Sequence, residues 1–256
     1  MKNEIKYVHE TDVHNLKAPE EIVPLLIKIF NPVSVLDVGC GIGNWLSVFK
    51  KNGVEKIMGI DGDYVNKNLL SGYIGLNEFI SVDLSMPFDL QKRFGLVVCL
   101  EVAEHLAASV AETFVESLCY HSDIIVFSAA IPNQGGQNHL NEQWPEYWIN
   151  IFKKKSYQCY DILRPLLWDN AQVEWWYKQN LLIFSKVELD GYNPASGFYS
   201  IVHPLHFQQK INYIKDLDKK IYNLSNKISV HDNKKGINKY WNIFLKFFGK
   251  NTISNK

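Results

Sequence analysis

Two histidines and an ordered set of acids are the residues of this 256-residue chain best suited to chemistry. His105 follows an apolar run at 94–100, and His139 stands in a glycine-bearing loop beside Asn141, Glu142 and Trp144. Imidazoles titrate near neutral pH, so either ring could take a proton from a weakly acidic nucleophile. Glu142, three residues beyond His139, could orient that ring in a base–orienter pair. The base role falls to His139, whose plainer use is in polar contacts that hold its own loop, whereas His105 reads first as a helix-start residue packed beneath a ligand.

The glycines and acids point to a ligand. Asp37-Val-Gly-Cys-Gly-Ile-Gly43 closes an apolar, β-branched run that reads as a strand buried on both faces. Gly39, Gly41 and Gly43 then turn the chain into a helix that starts near Asn44 and carries Trp45. A glycine turn lets backbone approach a ligand where a Cβ would collide. Its N–H groups and the helix N-terminus are expected to face that ligand. Asp61 ends a second run at 56–60, 20 residues after Gly41, a spacing at which a carboxylate can accept both hydroxyls of a ribose. Asp83-Leu84 follows a third run at 78–82, and Glu101 follows the fourth. Open α/β sheets bind their ligands at these carboxyl ends. One aspartate after a strand is an ordinary turn or cap residue; the ordered set singles out a nucleotide site.

The Gly-x-Gly-x-Gly spacing is neither the dinucleotide-fold Gly-x-Gly-x-x-Gly nor a P-loop. It resembles the first motif of class I S-adenosylmethionine-dependent methyltransferases. That resemblance implies a Rossmann-like α/β fold: a seven-stranded, mostly parallel sheet with an antiparallel last strand, flanked by helices. It also implies that Asp37, Gly39, Cys40, Gly41, Gly43, Asn44 and Trp45 surround the cofactor and that Asp61 and Gly62 lie at its ribose. Asp83 would face the adenine amino group, the Leu84 N–H a ring nitrogen, and Glu101 would complete the set. Gly59-Ile-Asp-Gly-Asp63, Glu101-Val-Ala-Glu-His-Leu106 and the stretch 131–148 are similar to a bacterial methyltransferase group associated with glycan and surface-polysaccharide biosynthesis. The resemblance continues through Asp161-Ile-Leu-Arg-Pro165 and 175–182, and spans roughly residues 18–187.

The activity expected from it is O-methylation of a sugar or sugar-derived metabolite, with S-adenosylmethionine as donor, S-adenosylhomocysteine as product and a histidine base. N-methylation of an amine, phospho-amine or amino sugar is the alternative within the enzyme class. A polysaccharide-assembly partner that binds cofactor without turnover is the alternative outside it. His139, Asn141 and Glu142 offer mixed nitrogen and oxygen ligands, but neither an oxygen-ligand array nor a zinc spacing is visible, so no metal is expected. Trp144, Trp148, Trp175, Trp176 and Tyr177 are either core or platforms for the apolar faces of sugars.

The elements that must position these residues alternate. A helix interrupted near Pro24 precedes the first strand, and a helix at 106–120 follows the fourth. A strand at 122–128 leads to the glycine loop, a helix at 142–154 and two further strands at 156–163 and 180–187. Residues 1–205 form the expected catalytic domain, with 16 basic against 24 acidic residues, a balance that argues against a nucleic-acid substrate. Residues 206–256 form a basic helical tail with 11 lysines against 3 aspartates. Phe207, Ile214, Leu217, Ile221, Leu224 and Ile228 give its helix a heptad seam that fits a homodimer or packing onto the catalytic domain. Residues 230–236 are expected to break it. An aromatic, lysine-flanked segment at 240–248 suits an anionic membrane surface or an assembly partner. Four scattered cysteines and a polar N-terminus suggest a reducing cytoplasm, with peripheral attachment at the inner face of the membrane.

Overall fold

The computed structural model describes residues 15–197 and 199–232. In chain order its elements are α1 (Lys17–Phe30), β1 (Ser34–Val38), α2 (Asn44–Lys51), β2 (Lys56–Asp61), α3 (Lys67–Leu70), β3 (Phe79–Ser81) and β4 (Leu96–Leu100). There follow α4 (Ala111–His121), β5 (Ile124–Ser128), α5 (Pro145–Lys154), β6 (Gln158–Tyr160), α6 (Leu163–Leu167), α7 (Trp175–Asn180), β7 (Leu182–Ser185) and α8 (Pro204–Asp232). One seven-stranded sheet runs β3-β2-β1-β4-β5-β7-β6. β7 lies antiparallel to both of its neighbours, and the other pairings are parallel. This is the Rossmann-like order expected from the sequence, and it aligns the carboxyl ends of β1, β2, β3, β4 and β5 along one edge.

Alternation along the strands divides the core between two faces. Val35, Leu96 and Val98 join Ile22, Leu26, Leu46 and Phe49 of α1 and α2. Leu36, Val97 and Cys99 join Phe114, Leu118, Trp148 and Phe152 of α4 and α5 on the other. All four cysteines are free, and Cys40, Cys99 and Cys159 serve as small buried residues.

Several boundaries differ from expectation for local reasons. α1 runs unbroken through Pro24, an exposed position where the carbonyl deprived of its N–H partner can meet water. The helix expected from 106 starts only at Ala111, after two 3₁₀ turns, Ala103–His105 and Ala108–Val110. α5 starts at Pro145 rather than 142, with proline in the first turn where no N–H is missed. The strand expected over 156–163 shrinks to three residues because Leu163 already opens α6.

The chain divides into two compact units between His206 and Phe207. In the second unit α8 continues to Asp232, past the expected break at 230. Its seam is exposed, from 37% at Leu217 to 62% at Ile221. The aromatic segment at 240–248 lies outside the described residues. Among those described, no helix is long and apolar enough to cross a membrane.

Arg164 ties α6 to the wall of the site. It is fully buried, donates through Nε and Nη2 to both oxygens of Asp161 at 2.8 and 2.7 Å, and reaches the carbonyls of Gln179 and Tyr199 through Nη1. Breaking such a pair from one side costs about 3–5 kcal/mol, and Asp161 keeps some contact with water. Arg164→Met is therefore expected to lower unfolding free energy by about 3 kcal/mol, read as an earlier urea midpoint at unchanged slope.

Candidate active site

The glycine turn between β1 and α2 is held from β2. Gly39, Gly41 and Gly43 have φ of 80°, 53° and 82°, a region open to glycine without penalty. The Gly39 and Cys40 N–H groups donate to the Ile60 carbonyl at 2.8 and 3.2 Å, the Gly41 N–H to Asp61 Oδ2 at 2.8 Å, and the Gly43 N–H to the Cys40 carbonyl at 2.9 Å. These four groups therefore brace the turn rather than face a ligand, which corrects the sequence expectation. Gly39 has a further duty: a Cβ there would come within 2.3 Å of the Val102 side chain.

What faces the ligand space is the row of acids. Asp37 is buried at the end of β1, and its Oδ2 has no hydrogen-bond partner among the described residues. Burial, reinforced by the nearby charge of Asp61, pushes its pKa up to about 8. Asp61 accepts from the Gly62 N–H and the Tyr64 hydroxyl on Oδ1, both at 2.6 Å, besides Gly41 on Oδ2. A carboxylate offers about four acceptor positions, so a ribose would share Asp61 with Tyr64 or displace it. Asp83 is exposed and holds the Ser85 N–H and hydroxyl on Oδ1, at 2.9 and 2.6 Å; Leu84 beside it is buried.

These residues line one cavity of ≈ 870 Å³, whose wall includes Asp37, Gly39, Cys40, Gly41, Asn44, Trp45, Asp61, Gly62, Asp83, Leu84 and Glu101. Gly43 shapes the wall from behind, as the φ-positive residue before α2; a Cβ there would meet Ile74 at 2.9 Å. Sequence reasoning missed Asn15, Tyr64, Val102, Asn138, Leu140 and Glu174, which also line it. Of the tryptophans it left open, Trp176 lines the cavity with Tyr177, whose ring meets Trp45 edge-on at 5.4 Å. Trp148 is core against Phe127, Trp175 stacks on His206, and Trp144 is exposed.

At the other end of the cavity the 3₁₀ turn Ala103–His105 meets the loop after β5. The Leu140 and Asn141 N–H groups both donate to the Glu104 carbonyl, at 2.8 and 2.9 Å. This clamp sets the His139 ring edge-on to His105, with centroids 4.8 Å apart. His105 lines the cavity, together with Asn138 and Leu140 on either side of His139. Burial, and secondarily the charge of His139, lowers the His105 pKa to about 4, so it is neutral at pH 7. His139 Nδ1 lies 2.8 Å from Glu142 Oε1. Glu142 in turn accepts the Asn133 and Gly135 N–H groups at 2.6 and 2.8 Å. Burial alone would raise the Glu142 pKa, but these three hydrogen bonds prevail and lower it.

Glu101 sits at the end of β4 with φ of 54°. Its carboxylate accepts from Gln134 Nε2 at 2.8 Å and Asn180 Nδ2 at 3.1 Å, and burial keeps its pKa raised despite them. Asn180 Nδ2 also donates to Gln134 Oε1 at 2.9 Å, and Gln179 Oε1 accepts the His203 N–H at 2.9 Å. A buried polar chain thus links β4, the loop after β5, α7 and the start of α8.

A mostly parallel sheet with acids along one edge, a glycine turn and a deep cavity beneath them marks a nucleotide-cofactor enzyme of the α/β class. The chain belongs to the methyltransferase family described as "Methyltransferase domain", which it matches over residues 9–155. Its fold is similar to that of CalS10, an amino pentose methyltransferase from Micromonospora echinaspora solved with S-adenosylmethionine bound (TM-score 0.53, 13% identity, 71% of this chain and 99% of that one). It is also similar to magnesium protoporphyrin IX methyltransferase from Synechocystis PCC 6803 with bound S-adenosylhomocysteine (TM-score 0.51, 14% identity, 71% and 90%). At such identities the likeness is one of fold. No curated protein sequence matches the chain.

Two expectations follow for cofactor binding and for pH. Asp61→Ala removes a ribose acceptor and releases the Gly41 N–H, and charged hydrogen bonds are worth about 1.5–3 kcal/mol each. Calorimetry should therefore show S-adenosylmethionine affinity falling at least about tenfold, whereas Tyr64→Phe, which frees Oδ1, should bind as tightly as wild type or more so. Asp37 keeps its proton when folded up to about pH 8 but releases it near 3.8 when unfolded, so the cofactor-free protein loses stability as pH rises between these values. Asp37→Asn abolishes that loss. Melting temperatures of variant and wild type should converge near pH 4 and separate toward pH 8, the variant melting higher.

Proposed function

We infer that the protein transfers a methyl group from S-adenosylmethionine to a hydroxyl of a sugar or sugar-derived metabolite in surface-polysaccharide assembly. The observation that carries this reading is the single cavity joining the acid-lined edge of β1, β2 and β3 to His105 and an aromatic wall. When bound, S-adenosylmethionine supplies an electrophilic methyl group on a cationic sulfonium. The unpartnered, buried Asp37 oxygen suits a cationic cofactor, Asp61 offers ribose acceptors, and Asp83 with Leu84 borders the position for a base.

The rest of the cavity suits a small polar acceptor. The whole cavity, at ≈ 870 Å³, is large enough to hold a cofactor and a small acceptor together. Trp45, Trp176 and Tyr177 offer ring surfaces for the apolar faces of a sugar. A sugar hydroxyl is a poor nucleophile, and transfer requires its proton to leave as the oxygen attacks in line. The sequence favours His139 as base, but His105 is the ring that lines the cavity and is the better placed of the two. His139 and Glu142 act through it as positioning residues, since Glu142 holds the His139 ring and His139 abuts His105.

Release of S-adenosylhomocysteine against nucleotide sugars, glycans, amino sugars and phospho-amines tests the reading. Turnover with a hydroxyl sugar is expected. Turnover confined to amine acceptors would replace O- by N-methylation, and cofactor binding without turnover on any acceptor would point to an assembly partner. His105→Ala and His139→Ala should each lower turnover by on the order of 10²–10⁴-fold while leaving S-adenosylmethionine affinity near wild type.

A further inference from the structure

We propose that Glu104, His105 and His139 form a binding site for a divalent transition-metal ion at the acceptor end of the cavity. One donor atom from each residue lies within 4.8 Å of the other two. Donors around a single ion at ~2.1 Å stand roughly 3–4 Å apart, so closing the set takes side-chain shifts on the order of 1 Å.

Glu104 is the independent sign of a missing partner. It is fully buried, and no side chain among the described residues donates to its carboxylate, which has only the N–H groups of its own backbone and of Ala130 nearby, neither at good hydrogen-bond geometry. Buried carboxylates are otherwise almost always well satisfied, and one so poorly served beside two imidazoles calls for an explanation. The surroundings give a second sign. Glu101, Glu104 and Glu142 lie around the two rings, and among the described residues no lysine or arginine pairs with any of them, so no side-chain cation already occupies the place.

The surroundings have the form of a supported ligand set. The His139 Nδ1–Glu142 contact is the carboxylate–histidine pairing that fixes ring orientation around metals. The two N–H bonds onto the Glu104 carbonyl hold the His139 loop in register with Glu104 and His105. Two imidazoles with one carboxylate and no thiolate favour a first-row divalent ion such as Mn²⁺, Fe²⁺ or Zn²⁺ over an ion bound by oxygen alone. The sequence-based expectation of no metal drew on His139, Asn141 and Glu142 only. It could not place Glu104, far earlier in the chain, against that loop.

The ion deepens the proposed function and rests on it. His105 belongs both to the triad and to the cavity wall, so open coordination positions would meet the acceptor, and with the ion bound His105 would serve as its ligand in place of acting as the base itself. A hydroxyl oxygen coordinated there becomes more acidic, as metal-bound water does. Its O–H bond breaks, the proton leaves to cavity water, and the oxygen keeps the electron pair that forms the new bond to the methyl carbon as the carbon–sulfur bond breaks.

Full-length protein stripped with chelator and titrated with Mn²⁺, free ion being followed by electron paramagnetic resonance, tests the site. One saturable equivalent is expected, and substitution with Co²⁺ should give visible ligand-field bands. Glu142→Gln should weaken Mn²⁺ binding about 10–100-fold, as outer-shell changes do, and Glu104→Gln and His139→Gln should weaken it further. S-adenosylmethionine affinity, measured by calorimetry on the same samples, should persist in every variant that folds; if one variant fails this check, the other decides. Absence of saturable Mn²⁺, Co²⁺ or Zn²⁺ binding, or Mn²⁺ affinity unmoved by these substitutions, would overturn the site. Full-rate methyl transfer by the stripped protein would overturn the ion's part in the reaction. Mn²⁺ binding in a protein that binds no S-adenosylmethionine would instead sink the methyltransferase reading and leave the ion site standing.

Discussion

The bond from the Gly41 N–H to the Asp61 carboxylate, with Gly39 and Cys40 on the neighbouring Ile60 carbonyl, is the constraint on which the cofactor end of this molecule depends. It joins the turn after β1 to the end of β2 across the parallel pair, so the two acids that frame the ligand space cannot move independently. The glycines permit it, because φ values of 53–82° at three alternating positions would strain any other residue. Their role is to let the turn fold back onto β2. The open cavity in front of Asp37 follows from that, as does the seat of Trp45 at the start of α2.

A second constraint works at the opposite end. Glu101, at a positive φ, closes β4 and faces amide groups from Gln134 and Asn180. Buried polar groups are costly unless satisfied, and here each amide is oriented by the next, down to the His203 N–H on Gln179. Such a chain tolerates little displacement. It fixes α7, and with it Trp176 and Tyr177, relative to the sheet edge, while Arg164 holds α6 and α7 from the far side. The aromatic wall is therefore positioned by hydrogen bonds as much as by its own burial.

Which parts were legible in the chain follows from how local each signal is. The β1 run, its glycines and Asp61 are local patterns with a spacing set by one strand–helix–strand unit, and they led to the correct sheet and edge. The pairing of His139 with Glu142 is also local, three residues apart. The bracing of the turn was not legible, because a glycine triplet looks the same whether its N–H groups meet a ligand or β2. Tyr64 on Asp61 was hidden for a similar reason: nothing in its neighbourhood marks a tyrosine that folds back three residues. Glu104 was overlooked because its meaning comes from residues 35 positions later, once the Leu140 and Asn141 N–H groups have closed on its carbonyl. Pro24 misled in the other direction, since a proline breaks a helix only where the lost bond cannot be replaced, and its exposed face supplies water.

The electrostatics of the two ends are complementary. At the cofactor end, Asp37 is held neutral by burial and by Asp61, so a cationic ligand meets a carboxyl group able to ionise when opposite charge arrives. At the acceptor end, Glu101 and Glu104 are also pushed toward their neutral forms by burial, with Glu101 further raising Glu104, while His105 is kept neutral. Without ligands, then, Asp37, Glu101 and Glu104 are held toward their neutral forms. Positive charge entering either end would draw protons off the nearby carboxyls, and each ionisation would strengthen the hold on what has entered. Binding and deprotonation are thereby coupled in one direction, which suits a reaction that begins with a cationic donor.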